Sequence, residues 1–200
     1  SDQLSHLADT ILNQTLQHTW RQMPKKHRDE PAFAIIGYGK LGGKELGYTS
    51  DLDLVYLFDD PGQEAGQTYA RLANRLTTWL SGSTAAGTLY DIDLRLRPNG
   101  DDGFPVHSTA AFDKYQHENA WTWEHQSLTR ARFVCGDPGI GRQFEDTRRR
   151  ILRLRRNPDT LRREILAMRE KITAAHPPLP TDIKYARGGI VDVEFIVQYL

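Results

Sequence analysis

A single cysteine, Cys135, excludes an intrachain disulfide and any zinc site built on thiolates. Nowhere do apolar residues run for the ~20 positions a bilayer-spanning helix needs, and the N-terminal stretch lacks the pattern of a secretory signal. Net charge is missing too: 26 basic residues balance 26 acidic ones over 200 residues, so nothing draws the whole molecule to nucleic acid or to an anionic membrane. Internal repeats and low-complexity tracts are also lacking. The expectation is a soluble, cytoplasmic protein with no nucleic-acid or membrane partner. Its length suits one domain of about 100–150 residues with further elements. The chain opens at Ser1 and ends at Leu200 inside an apolar-periodic run, so a segment of something longer is expected.

What is present is concentrated between Ala32 and Phe58: an apolar strand, a glycine-rich turn, a short helix, and a second strand opening Asp51-Leu52-Asp53. Side chains alternate along a strand, so Asp51 and Asp53 share a face, roughly 7 Å apart at about 3.3 Å per residue. Two carboxylates so placed can share a divalent cation. Upstream, Gly37, Gly39, Gly42 and Gly43 let backbone N–H groups approach an anion, and the start of the following helix favours phosphate. Lys40 is a candidate for neutralising phosphate, although a loop lysine is more often simply solvated.

Two familiar readings of these glycines fail. Gly37-Tyr38-Gly39-Lys40-Leu41-Gly42 fits the dinucleotide fingerprint, but too few residues separate Gly43 from Asp51 for a crossover helix. A Walker A loop fails because Gly43 stands where its lysine belongs, and Lys44 precedes Glu45 rather than Ser or Thr.

The second informative stretch is Tyr90 to Arg97. Tyr90, Ile92, Leu94 and Leu96 alternate with Asp91, Asp93, Arg95 and Arg97, which predicts one unbroken strand with a charged face. A solvated face with cross-strand ion pairs is the plainer reading. Set beside Asp51 and Asp53, a third carboxylate from this strand completes a metal cage, and Arg95 and Arg97 are candidates for phosphate contact. Spacing alone does not separate Asp91 from Asp93.

Elsewhere the apolar spacing predicts a lead-in helix through Leu4, Leu7, Ile11, Leu12, Leu16 and Trp20, ended by the polar stretch from Pro24 to Pro31. A strand from Phe33 to Ile36, a turn of helix from Lys40 to Leu46, a strand from Asp51 to Phe58 and a helix through Tyr69 to Leu80 follow. Ser108 or Thr109 caps a helix with Phe112 and Tyr115, Glu118 to Leu128 reads as another, and Arg130 to Cys135 reads as extended. Gly136 to Gly139 marks a boundary. An Arg-rich helix comes next, then one broken off by Asn157-Pro158, a proline-rich break at His176 to Pro180, and a helix from Ile190.

The glycine turn, the D-x-D strand and the later carboxylate resemble the nucleotidyltransferase fold of the DNA polymerase beta superfamily. Within it, GYGKLGGKELGYTSDLDL, YDIDLRLRPNG, ENAWTWEHQSLTRARFVCGD and GGIVDVEFIVQYL resemble the bifunctional glutamine synthetase adenylyltransferase/adenylyl-removing family over nearly the whole chain. The resemblance implies an α+β nucleotidyltransferase fold, a small mixed sheet flanked by helices, followed by the start of an all-α domain. The expected division is a helical lead-in at 1–30, a catalytic domain at 31–137 and an incomplete helical domain at 138–200.

It further implies transfer of AMP from ATP to a tyrosine hydroxyl of glutamine synthetase, with two Mg²⁺ ions held by Asp51, Asp53 and Asp93. The family pattern puts the third acid at Asp93, where it serves as metal ligand or general base, with Asp91 in reserve. ATP would lie over Gly37 to Gly43, and Ser50 is carried as a nucleotide contact whose plainer role is closing the turn. A PII-type signalling protein and glutamine are expected to regulate the full-length enzyme. Gly47-Tyr48-Thr49 resembles the adenylylating half of the family rather than the half that removes AMP by phosphorolysis. Phosphorolytic removal and a catalytically silent binding module are the alternatives. Trp121, Trp123 and His125 read as an adenine or partner pocket or, more plainly, as core. Lys184 and Arg187, beside Gly188-Gly189, are candidates to reach nucleotide from the helical domain, a role the sequence alone does not assign; Asp192 and Glu194 read as helix-start acids, and Cys135 as a small buried hydrophobe.

Overall fold

A computed structural model describes residues 1–85, 87–100, 103–177, 179 and 181–200. The lead-in helix α1 runs Asp2–Arg21 and buries Ala8, Leu12, Leu16 and Trp20. Leu7 lies off that stripe and is exposed. Strand β1 (Phe33–Gly37) is buried at every position, as a strand covered on both faces must be. It pairs antiparallel with β2 (Leu52–Phe58), register Phe33 to Phe58 through Gly37 to Leu54.

Between them the helix expected over Lys40 to Leu46 shrinks to α2, four residues, Gly39–Gly42. Lys44 adopts a left-handed φ of 57°, which an L-residue in a continuing helix does not.

Helix α3 (Ala65–Ser81) buries Tyr69, Leu72, Ala73, Leu76 and Leu80, the stripe its spacing predicts, and a hairpin of β3 (Ser83–Thr84) and β4 (Gly87–Thr88) follows. Full burial of each such leucine stabilises the fold by about 1.5–3 kcal/mol. Tyr69 organises this layer, stacking on Trp20, Phe33 and Phe58.

The unbroken strand expected from Tyr90 to Arg97 is not formed. Only β5, Ile92–Asp93, is extended, pairing parallel with β2. The chain then turns because the Asp93 carboxylate accepts from the Arg95 amide at 2.8 Å, and Asn99 and Gly100 take φ of 62° and 53°. Part of the loop expected at Asn99 to Pro105, and of the break at His176 to Pro180, lies outside the described residues.

Strand β6 (His107–Ser108) pairs parallel with the far end of β2, and Ser108 caps α4 (Thr109–Glu118) by accepting from the Ala111 amide at 3.1 Å. The helix expected over Glu118 to Leu128 divides. After α4 ends, Glu124 anchors a new start, accepting from the Trp121 amide at 2.8 Å, and α5 occupies Thr122–Ser127 before a 3₁₀ turn at Leu128–Arg130. Strand β7 (Arg132–Gly136) closes the sheet antiparallel to β1, giving the order β5-β2-β1-β7 with β6 on β2.

Helix α6 (Pro138–Leu152), capped by Asp137, sends Ile140, Phe144 and Ile151 into the same core, where Phe144 meets Tyr38 and Phe112. The hydrophobic core therefore continues past residue 137. The arginines of this helix do more than face solvent: Arg148 donates to the Leu128 and Thr129 carbonyls and Arg150 pairs with Asp113. Helices α7 (Pro158–Ala175), capped by Asn157, and α8 (Ile190–Tyr199) pack on each other and, through α7, on α5. Each buries a single residue, Ile165 and Val191. Among the described residues no helix is long and apolar enough to cross a membrane.

Candidate active site

The parallel pairing of β2 and β5 puts Asp53 opposite Asp93, and Asp51 sits two residues before Asp53 at the strand's mouth. Ligand oxygens of Asp51, Asp53 and Asp93 all lie within 4.8 Å of one another, a group of three acids able to hold a metal ion. Asp91 is not in the group. It is exposed, and its carbonyl accepts from the Leu52 amide at 2.8 Å, the bond that starts the β2–β5 pairing.

The electrostatics of the triad are uneven. Desolvation, with the like charges of Asp51 and Asp93, pushes the Asp53 carboxyl up to about 6, against the pull of Arg130 and Arg95. Asp93 moves the other way: hydrogen bonds from the Arg95 side chain lead the causes that hold it below the usual carboxylate range, against its own desolvation. Arg95 Nε donates at 3.1 Å and 2.9 Å to its two oxygens. Three carboxylates that repel one another and converge within reach of one point suit a hard, oxygen-seeking divalent ion, and no thiolate or imidazole is in the set.

The glycines sit close to this centre, chiefly as spacers. Gly39 has a left-handed φ of 50°, and a Cβ there would fall 2.1 Å from Asp53 Oδ2, so the backbone meets the carboxylate where only glycine fits. A Cβ on Gly42 would fall 1.9 Å from the Arg130 carbonyl oxygen, and one on Gly37 would crowd Val134 and Leu41. The Gly42 and Gly43 amides donate to the Tyr38 and Gly39 carbonyls at 2.8 Å and 3.0 Å. Lys40 is exposed on α2. Ser50 Oγ accepts from the Gly47 amide at 3.0 Å and closes that turn. Arg97 is directed inward, donating to the Leu94 carbonyl at 2.9 Å and the Gly103 carbonyl at 3.3 Å.

Sequence reasoning assigned no role to Arg130. Its guanidinium donates to Glu194 Oε1 at 2.8 Å, lies 3.5 Å from Glu45 Oε2, and is near enough to Asp53 to lower its pKa. Glu194, read as a helix-start acid, thus ties α8 to the site. Asp192 is likewise engaged, pairing with Arg169 and accepting from the Gly188 amide at 2.6 Å. The aromatic group separates: Trp121 is exposed, Trp123 lines a cleft beside Asp53, and His125 is buried between the Gln116 carbonyl and Arg156. Lys184 lies over the ring of Tyr185, 4.8 Å from its centroid. Cys135 is buried in the core, and desolvation pushes its thiol up to about 12.

A small mixed sheet flanked by helices, with carboxylates gathered on neighbouring strands beside a glycine turn, defines a nucleotidyltransferase-like protein. The family described as glutamate-ammonia ligase adenylyltransferase matches residues 1–147, and the chain belongs to that family. Among curated proteins it is 67% identical over 200 residues to the bifunctional glutamine synthetase adenylyltransferase/adenylyl-removing enzyme of Neisseria meningitidis serogroup A. It is 59% identical over 200 residues to the protein of that name from Chromobacterium violaceum, and 58% over 203 to that from Nitrosomonas eutropha. All of this chain is covered in each case, and the chain spans about 22% of each relative's length.

Proposed function

We propose that this chain carries the site that transfers AMP from ATP to a tyrosine hydroxyl of glutamine synthetase, releasing pyrophosphate. The observation that carries the reading is the convergence of Asp51, Asp53 and Asp93 within 4.8 Å beside Gly39. The names of the relatives supply the protein substrate. Asp51, Asp53 and Asp93 would hold Mg²⁺, two ions in our reading, which when bound supplies positive charge to the triphosphate and acidifies the attacking hydroxyl.

The chain's own groups then have separate tasks. Asp93, held low by Arg95, is a poor proton acceptor and serves as a fixed negative charge in the triad. Arg95, with its side chain 71% exposed, is placed to exchange that carboxylate for a phosphate oxygen. Gly39 and Lys40 line the approach of the triphosphate, with Gly37, Gly42 and Gly43 shaping the turn beneath it and Ser50 fixing the segment before Asp51. Arg97, through its carbonyl contacts, holds the loop after β5 in place. The tyrosine oxygen attacks the α-phosphorus in line with the departing pyrophosphate, and its proton passes to solvent or to a carboxylate of the site. We further propose that the protein works in the cytoplasm, and that glutamine and a PII-type protein regulate the longer enzyme.

The test is incubation with α-labelled ATP, Mg²⁺ and unmodified glutamine synthetase. Label on the synthetase, lost in Asp51→Ala and Asp53→Ala, is the expected result. Undiminished transfer in those variants overturns the carboxylate assignment. Phosphate-dependent release of label from adenylylated synthetase, without forward transfer, assigns the chain to AMP removal instead.

A further inference from the structure

Beside the triad a cleft of about 270 Å³ opens between the nucleotidyltransferase core and helices α7 and α8. Its lining combines polar groups, Gly39, Asp53 and Arg130 with its partner Glu194, and the apolar side chains of Trp123, Met168 and Phe195. Gln126, 7% exposed, also lines it. Its Nε2 donates to Gln198 Oε1 at 3.4 Å, and its Oε1 is buried with no hydrogen-bond partner among the described residues. Buried polar atoms are overwhelmingly paired, so an orphaned acceptor in the lining of an open cleft calls for a donor from outside the chain.

We infer that this cleft takes the purine ring of the nucleotide and that Gln126 is a specificity-determining residue, accepting a hydrogen bond from the exocyclic amine at the ring's 6-position. The inference rests on the proposed use of ATP and deepens it. Three observations meet here. A flat heteroaromatic ring suits walls of indole, phenyl and thioether, which favour faces and edges of π systems. The cleft reaches the triad through Asp53 alone, so a ring against the apolar side chains leaves its triphosphate to approach Asp53, Gly39 and the Arg130 guanidinium. This orphaned acceptor then distinguishes ring substituents: a 6-amino group satisfies it, whereas a 6-oxo group sets oxygen against oxygen. Sites built to hydrogen-bond a substrate reject the analogue that leaves their buried polar group unpaired. Gln198 acts through Gln126 as a positioning residue, since its contact engages the amide nitrogen and leaves the oxygen as the unpaired atom.

The experiment measures, by calorimetry on the full chain with Mg²⁺, the affinities of ATP, ITP, purine riboside triphosphate and inorganic tripolyphosphate. The proteins are the wild type, Gln126→Leu and Met168→Trp, with Asp53→Asn as a separate control on the function. Wild type should prefer ATP to ITP and to purine riboside triphosphate by about ten-fold, the worth of one buried hydrogen bond. Gln126→Leu should lose that preference while binding purine riboside triphosphate as the wild type does, a pattern that a folding defect does not produce. Met168→Trp, which fills the cleft from α7, should weaken ATP and leave tripolyphosphate unchanged. Equal binding of ATP and tripolyphosphate to all three proteins overturns the inference while leaving the function intact. Loss of a 6-amino preference in wild type overturns the role of Gln126. Failure of ATP and tripolyphosphate to bind at all, or binding unchanged in Asp53→Asn, overturns the function itself and the inference with it.

Discussion

Asp53 and Asp93 stand opposite each other as register partners across the parallel strands β2 and β5, with opposite electrostatic fates. Desolvation and two neighbouring acids push Asp53 up to about 6, while Arg95 holds Asp93 low. A carboxyl raised on folding is easiest to bury when protonated. Its contribution to metal-free stability is full below the unfolded value near 4 and is lost as pH rises past about 6. In chelator, the melting temperature should therefore fall between about pH 4 and 6 from this group and stay depressed above. Asp53→Asn should remove that fall, and wild type alone should recover it on adding Mg²⁺. The same substitution should lower adenylyl transfer by at least about a hundred-fold, since it removes a carboxylate that would hold the Mg²⁺ facing the triphosphate. Melting curves across pH, with and without Mg²⁺, check the stability half, and label transfer checks the rest.

Gly39 touches that carboxylate from the other side. Alanine at this position needs φ of 50° and places its Cβ 2.1 Å from Asp53 Oδ2, so either the turn or the carboxylate must move. Gly39→Ala should destabilise the chain by about 1–3 kcal/mol and should reduce transfer more than Gly47→Ala, where a Cβ meets only Ser50 Oγ at 3.4 Å. Denaturant melts and transfer rates of the two variants, side by side, separate strain at the site from a general effect of glycine loss.

Why some of this was legible in the sequence and some was not follows from how far each signal reaches. Asp51 and Asp53 are two apart on an apolar strand, so alternation alone aims them together. The stripe Tyr69, Leu72, Ala73, Leu76 and Leu80 announces α3 in the same local way. Alternation misled at Tyr90 to Arg97, because acid–x–base spacing is shared by a charged strand face and by a turn in which an aspartate caps the amide two residues on. Asp93 and Arg95 form the second. The helix from Lys40 to Leu46 failed on the left-handed Lys44, a conformation with no periodicity to betray it. Arg130 and Glu194 are 64 residues apart, and no local pattern joins them. The Asp51–Asp53 pair is therefore written in short range, whereas the arrival of Asp93 across β2 and β5 and the framing of the cleft are written in long range.

Asp60 offers a pH test away from the site. Its carboxylate is 4% exposed, and although burial pushes it up, hydrogen bonds from the Gly62 amide, His27, Tyr69 and Arg28 hold it well below the ordinary range. The distances are 2.9 Å to Gly62, 2.7 Å to His27, 3.0 Å to Tyr69 and 3.3 Å to Arg28. A depressed carboxyl contributes stability that is present above the unfolded value near 4 and lost as pH falls through its folded value. Asp60→Asn should lower stability by about 1–3 kcal/mol at neutral pH, and the gap from wild type should begin to narrow in acid. Parallel melts at pH 7 and pH 3 read both.

Arg130 joins the two parts of the cleft, donating to Glu194 on α8 while its charge opposes the rise of Asp53. The two substitutions that break this pair should therefore differ. Glu194→Gln removes one anchor of α8, whose burial is slight, and should cost about 1 kcal/mol in local stability. Hydrogen exchange over residues 190–199 should quicken while the β-sheet amides keep their protection, because α8 opens without global unfolding. Arg130→Met does that and also removes a cation near the triad. Its metal-free stability should decline toward alkaline pH with a midpoint above the wild-type value of about 6, because an uncompensated carboxylate cluster holds its proton longer. An unchanged midpoint in Arg130→Met, with exchange on α8 quickened, would leave Arg130 as a fastener for the helix and remove it from the electrostatics of the site.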